Sequence, residues 1–311
     1  MKKTLLGLLF AAMLISFMIM PPLKGLKDRS DDLIKFSPND TLMDLRVKIQ
    51  EMRQQIRRNG DTYDVDINPA MQYPLEELCG LKEEMAPFDV PVMELGTRSV
   101  SDSVVLPSSY TGYFTPVKNQ LNCGSCWDFS TTGNVEGVFL KRTGKTYDFS
   151  EQYVLDCNTN GYDCGGGWFV FNMFCTPYGG RSEWLYPYKG IKGTCNTNSP
   201  EIGRINGYAQ ICGSAVCDPT SIKSAIYKYG TVSAAVYADY YFQAYRGGCF
   251  SGTASSYVNH AIVLCGWNDN AACGGAWYLK NSWSIYWGEK GFMWIKYGSQ
   301  KVGYRTTYAF F

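Results

Sequence analysis

The chain has 311 residues, 29 Lys/Arg against 28 Asp/Glu, and a formal net charge of +1. So small a net charge, modest and spread out over the body of the chain, gives no footprint for nucleic acid. Twelve cysteines point to an oxidising compartment, and the single histidine, His260, is the only imidazole available to any Cys–His chemistry.

Lys2 and Lys3 precede an apolar run from Leu5 to Met20, broken by Gly7 and Ser16 and stopped by Pro21 and Pro22. A basic start and a short apolar core predict a secretory signal over residues 1–22. No small-x-small cleavage site follows, and the run is just short of the roughly 18 residues of a span, so an uncleaved membrane anchor is the alternative. Either reading exports the remainder, to a secreted, periplasmic or lysosome-like location.

Residues 23–105 differ in charge from the rest of the chain. They hold 11 Lys/Arg and 16 Asp/Glu, a net −5, whereas residues 106–311 hold 16 and 12, a net +4. Asp40 is a candidate N-cap for an amphipathic helix through Leu45, Ile49, Met52 and Ile56 to Gly60. A strand-like Tyr63–Ile67 and a short amphipathic piece ending at Gly80 come next. Opposite net charges favour an acidic leader held on a basic body, and acid would weaken that attraction.

The body, from about Leu106, is long enough for one large domain or two lobes. Its first half reads as helices over 125–140, 150–157 and 167–174. Its second half reads as strands over 233–237, 261–266, 276–280 and 292–296. Helices first and strands later predict an α+β fold with segregated lobes.

The chemistry concentrates between Thr115 and Ser130. Gln120 precedes Cys126 by six residues, Gly124 and Ser125 supply a turn and a cap, and Trp127, Phe129, Val135 and Val138 recur at helical spacing. A thiol at a helix N-terminus sits at the positive end of the backbone dipole, which favours the thiolate. Cys123 and Cys126 also form a Cys-x-x-Cys pair. A thiol oxidoreductase competes on that spacing, although no strand of a βαβ unit lies upstream. His260 opens an apolar, strand-like run, and Asn281 lies further on in Trp277-Tyr-Leu-Lys-Asn281-Ser-Trp283.

The order Cys, His, Asn, with the local segments Gln120–Ser130, Tyr257–Ala261 and Asn281–Gly288, resembles the papain-like cysteine proteases in precursor form. The resemblance implies a two-lobed fold, with a helical N-terminal lobe, a β-barrel-like C-terminal lobe and the active-site cleft between them. It implies a signal or anchor over 1–22, a propeptide over 23–105 that packs on the body and crosses the cleft, and a peptidase domain over 106–311. Cys126 would be the nucleophile and His260 the base and acid. Asn281 would orient the imidazole, Trp283 would shield that hydrogen bond, and Gln120 would give its amide to the oxyanion.

Peptide would lie extended along Gly166 and Gly167 and against the carbonyl of Asn259. Trp168, Phe169, Ala235, Val258 and Ala261 would line the pocket for the second residue before the scissile bond. Ala235 is small and none of the five is charged, so an aliphatic or aromatic preference is expected there. The resemblance further implies the bridges Cys123–Cys164 and Cys157–Cys195, each worth ~2–4 kcal/mol. Cys212 and Cys217 could close a short loop, Cys175 and Cys265 sit in apolar runs as candidate free thiols, and Cys79, Cys249 and Cys273 have no assigned partner. The spacing lacks paired Cys-x-x-Cys knuckles, so no metal or other cofactor is expected.

Asp128 stands where the family has alanine. Pointing inward it would raise the thiol pKa; facing outward it would suit the first helical turn. With no second histidine, the histidine-bearing loop of the family's dipeptidase branch is absent, which favours an endopeptidase. The expected partners are a peptide or protein substrate and the chain's own propeptide, in a monomer. A catalytically silent peptide-binding relative is the alternative.

Overall fold

The computed structural model describes residues 35–87, 89–93, 105–252 and 255–311. The expected signal or anchor over 1–22 lies outside the described residues, as does most of the expected processing region around 95–106.

The N-terminal segment opens with helix α1 (Leu42–Asn59), which buries Ile49, Met52 and Ile56 along one face. Its cap is Thr41 rather than Asp40. Thr41 Oγ1 accepts the Asp44 N–H at 3.2 Å, and the Asp44 carboxylate accepts the Thr41 N–H at 2.9 Å. Asp40 instead takes the Ser37 N–H and the Lys48 ammonium. Gly60, at φ 73°, ends the helix. Strand β1 (Thr62–Val65) and the one-turn helix α2 (Leu75–Leu78) follow, with 3-10 turns at Pro69–Gln72 and Glu83–Met85.

Of the body, β2 (Ser109–Thr111) leads to α3 (Cys126–Thr143) and α4 (Glu151–Cys157). β3 (Gly180–Arg181) and β4 (Glu201–Gly203) form a separate ribbon. Next along the chain are β5 (Gly207–Gln210), α5 (Pro219–Tyr229), β6 (Val232–Val236), α6 (Tyr240–Ala244) and β7 (Tyr245–Phe250). The chain ends with β8 (His260–Asn268), β9 (Ala276–Lys280), β10 (Phe292–Lys296) and β11 (Tyr304–Phe310). Strands run in the order β1-β7-β10-β9-β8-β6-β11-β5, with β2 on β8. The order is open, and no closed barrel forms among the described residues, so the expected barrel-like lobe is a single large sheet.

Helix α3 is nearly all buried because it lies between the two halves. Ser130 Oγ donates to the Ile262 carbonyl of β8 at 2.8 Å, and Ser233 Oγ of β6 donates to the Ser130 carbonyl at 2.9 Å. A Cβ on Gly137 would come within 2.4 Å of Thr231 Oγ1, so only glycine allows helix and sheet to approach there. The helix expected over 167–174 reduces to a 3-10 turn at Phe171–Phe174. Gly167 spends its backbone groups on a strand-like pairing with Leu81 instead. Four disulfides are present: Cys123–Cys164, Cys157–Cys195, Cys212–Cys217 and Cys249–Cys273. Cys79, Cys126, Cys175 and Cys265 are free, and Cys175 is only half-buried.

Candidate active site

Cys126 is the first residue of α3 and His260 the first of β8, so the thiol and the imidazole come from opposite halves of the body. Both are fully buried. His260 Nε2 lies 2.8 Å from Asn281 Oδ1, just beyond β9. A carbonyl oxygen only accepts, so Nε2 carries the proton and Nδ1 keeps its lone pair. Asn281 Oδ1 also accepts the Ser282 N–H at 2.8 Å, which fixes the amide's orientation. The Trp283 ring lies 4.7 Å from the imidazole, centroid to centroid, and Phe242 packs edge-on to both. These rings keep water from the His260–Asn281 bond. His260 Nδ1 has no hydrogen-bond partner among the described residues.

Gln120 is held by the same segment. Its N–H donates to the Ser282 carbonyl at 2.9 Å, and its Oε1 accepts from Ser282 Oγ at 2.6 Å. That leaves Nε2 to donate, to the carbonyls of Cys123 at 2.8 Å and Leu78 at 2.9 Å. Ser282 therefore positions the Gln120 amide, a role that sequence reasoning missed; its adjacency to Asn281 was the available signal. Tyr188 was missed as well. Its hydroxyl lies 2.8 Å from Ser125 Oγ and donates to the Gln120 carbonyl at 3.0 Å, so Ser125 ends the turn without capping the helix through its side chain.

Between these walls runs the chain's own N-terminal segment. Gly167 N–H donates to the Gly80 carbonyl at 2.9 Å, Lys82 N–H to the Gly167 carbonyl at 3.0 Å, and Leu81 N–H to the Asn259 carbonyl at 2.9 Å. The pairing with Gly167 is parallel. Asn259 is held for this by a two-way amide contact with the Ala238 backbone, at 2.7 and 2.9 Å. Leu81 is buried in one apolar cluster with Trp168, Phe169, Ala235, Val258 and Ala261. A Cβ on Gly80 would stand 1.8 Å from the Gly124 carbonyl oxygen, and one on Gly166 would stand 2.7 Å from the Gly80 oxygen. Three glycines thus let the segment press onto the nucleophile's loop.

Burial dominates the electrostatics of this covered site. It pushes the Cys126 thiol up to about 11, against the pull of the backbone N–H groups of Ala261, Gly80, Trp127 and Leu81 that face the sulfur. It pushes His260 down to about 4, only partly offset by the bond to Asn281. The thiolate expected from the helix dipole is therefore disfavoured while the segment is in place, and the covered pair is thiol and neutral imidazole. Asp128 does not face outward. It is fully buried, Oδ1 accepts from Thr132 Oγ1 at 3.0 Å, and Oδ2 has no hydrogen-bond partner among the described residues. Desolvation holds its carboxyl well above the usual range, which favours the protonated form over a charge near the thiol.

Beneath the site, Lys118 reaches Glu136, Glu151 and Asp148 at 2.8–2.9 Å, and Lys280 donates to Thr115 Oγ1 at 2.9 Å. These contacts join the segments that carry Gln120 and Asn281 to the helix that carries Cys126. Cys123 is bonded to Cys164, so the Cys123–Cys126 dithiol that an oxidoreductase would need is not available.

Residues 105–310 match the profile of the papain family cysteine proteases. Fruit bromelain of Ananas comosus is 37% identical over 247 residues, covering 76% of this chain and 68% of the relative. Among solved structures, digestive procathepsin L 3 of Tenebrio molitor larval midgut is 28% identical with a TM-score of 0.72, covering 86% of this chain and 90% of the other. A recombinant stem bromelain precursor is 29% identical with a TM-score of 0.74, covering 86% and 89%. Both structures are precursors, and their coverage extends beyond the part of this chain that the family profile matches. This chain belongs to the papain family of cysteine proteases.

Proposed function

We propose that the chain is an exported endopeptidase made as an inactive precursor, with residues 1–22 a signal or anchor, 23–105 a propeptide and 106–311 the peptidase domain. The observation that carries this reading is the seating of Leu78–Lys82. The Gln120 amide, the Gly167 backbone and the Asn259 carbonyl all bond to the chain's own N-terminal segment. An inhibitor that uses the substrate's contacts must leave before substrate can enter.

The segment pairs parallel with Gly167, and the sulfur faces the N–H groups of Gly80 and Leu81. Once the segment is gone, His260 Nδ1 takes the Cys126 proton and the sulfur attacks the scissile carbonyl. The Gln120 amide and the Cys126 N–H stabilise the oxyanion. His260 then gives its proton to the leaving amine, which leaves an acyl-enzyme. Water, activated by the same imidazole, attacks the acyl carbon and returns the thiol. Asn281 and Trp283 hold the ring in one tautomer throughout.

The Leu81 pocket favours an aliphatic or aromatic residue second before the cut. The test is a peptide-library digest with protein matured from the full precursor. Cleavage with Leu, Val or Phe as the second residue before the cut bond, lost in Cys126→Ser, is expected. No cleavage of any peptide by protein shown to lack residues 1–105 would overturn the proposal.

A further inference from the structure

Beside the apolar pocket, the turn between β10 and β11 and the start of β11 carry three non-glycine residues in the left-handed region: Gln300 (φ 50°) and Lys301 (φ 55°) in the turn, and Arg305 (φ 47°) in the strand. Such conformations persist where the surroundings impose them, and they gather at ligand-binding positions. Gln300 is fully buried and donates to Asp239 Oδ2 at 2.7 Å, which anchors the turn. Lys301 Nζ donates to the Ser256 carbonyl at 2.9 Å and lies 3.9 Å over the Tyr304 ring. The Arg305 guanidinium lies 5.6 Å over the ring of Trp168, a pocket residue. Tyr304 pairs in register with Ala235, another. Both cations are thus braced against the pocket wall rather than free in solvent, with side-chain exposures of 17% and 20%.

One anion occupies this position. Glu83, two residues beyond Leu81 on the side away from Cys126, accepts the Tyr304 hydroxyl and lies 4.0 Å from both Lys301 Nζ and Arg305 Nε. Among the described residues neither cation has another ion-pair partner. When the N-terminal segment leaves, two positive charges and a largely buried hydroxyl lose their carboxylate.

We infer that Lys301, Arg305 and Tyr304 form a specificity subsite for an acidic side chain of the substrate, one or two residues N-terminal to the residue that fills the apolar pocket. The inference rests on the protease reading above and adds a substrate class to it: peptides that carry Glu or Asp shortly before an aliphatic residue. The Glu83 carboxylate marks the subsite in the covered protein, and substrate takes its place in the open one. Charge-assisted hydrogen bonds outweigh exposed ion pairs, so the tyrosine sets the geometry and the two cations set the sign.

The test compares two fluorogenic peptides with Leu in the pocket position and either Glu or Gln at the two positions before it, using enzyme matured from the full precursor. The Glu peptide should show a kcat/KM about tenfold higher at low salt, and the ratio should shrink as salt is raised. In Lys301→Gln/Arg305→Gln the ratio should fall to about one, whatever the absolute rate. Equal rates in the unaltered enzyme, or a preference that survives the double substitution, overturn the inference while leaving proteolysis intact. Should neither peptide be cut, the protease reading fails. The same Glu-to-Gln ratio, taken from the dissociation constants of the uncleaved peptides, then decides the subsite by itself.

Discussion

The Leu78 carbonyl oxygen sits 2.9 Å from Gln120 Nε2, the side-chain donor proposed to stabilise the oxyanion. The segment that carries Leu78 goes on to bond with Gly167 and Asn259 and to cover the Cys126 sulfur. On the proposed function, inhibition and catalysis share one set of hydrogen-bonding groups.

Gln120→Ala should lower kcat by about 10²–10³ with a much smaller change in KM, because the donor acts on charge that develops in the transition state. The same substitution removes a bond to the covering segment, so the precursor should also mature faster when it is cut by added unaltered active enzyme. Steady-state kinetics of the matured enzyme and a time course of precursor processing check both.

Gly80→Ala places a methyl group where the Gly124 carbonyl oxygen stands 1.8 Å from the ideal Cβ position. Backbone cannot yield there cheaply, so the segment must lift. Overpacking of this kind costs about 1–3 kcal/mol, which predicts roughly fivefold to hundredfold weaker inhibition by the segment. An inhibition constant for the variant segment against matured enzyme, compared with that of the unaltered segment, measures it.

Acid should loosen the segment. Covered, His260 is held down at about 4, whereas an uncovered imidazole moves back toward its ordinary value of 6.5. Between those values the open form holds more protons than the covered one, so lowering the pH favours opening, by up to about tenfold per unit. Precursor maturation at low protein concentration should accelerate from pH 7 to pH 4.5. The acceleration should be much reduced in the full precursor bearing His260→Gln, when matured by added active enzyme.

Asp128 makes the opposite kind of contribution. Its folded-state carboxyl is raised, so the native protein retains a proton that the unfolded chain releases above its ordinary value of 3.8. Stability is therefore lost as pH rises through the range between the unfolded and folded values. Asp128→Asn keeps the shape and removes the titration. It should melt higher than the unaltered protein at pH 7, and the difference should vanish near pH 4. Peptidase activity at neutral pH should be little changed.

The site's chemical groups were legible from local patterns. Gln120, Cys126, His260 and Asn281 each sit in a short distinctive segment, and α3, β8, β9 and β10 follow from apolar periodicity. What escaped depends on contacts between distant residues. Glu83 meets Tyr304 across 221 residues, and no local period announces that meeting. The Cys249–Cys273 bridge ties β7 to the turn between β8 and β9, a meeting that only the order of strands in the folded sheet reveals. The expected helix after Gly167 failed because propensity there yields to the pairing of Gly167 with Leu81. The buried Asp128 likewise could not be inferred from a first-turn position that suits an exposed carboxylate equally well.

The most direct measurement is the rate at which a peptidyl epoxide labels Cys126, taken on the intact precursor and again after residues 1–105 are removed, from pH 4 to pH 9. A buried thiol behind Gly80 and Leu81 should react slowly, and removal should raise the rate by at least a hundredfold, with a plateau that depends on His260. Equal labelling before and after removal, or fast labelling that persists in His260→Ala, would contradict a covered Cys126–His260 pair.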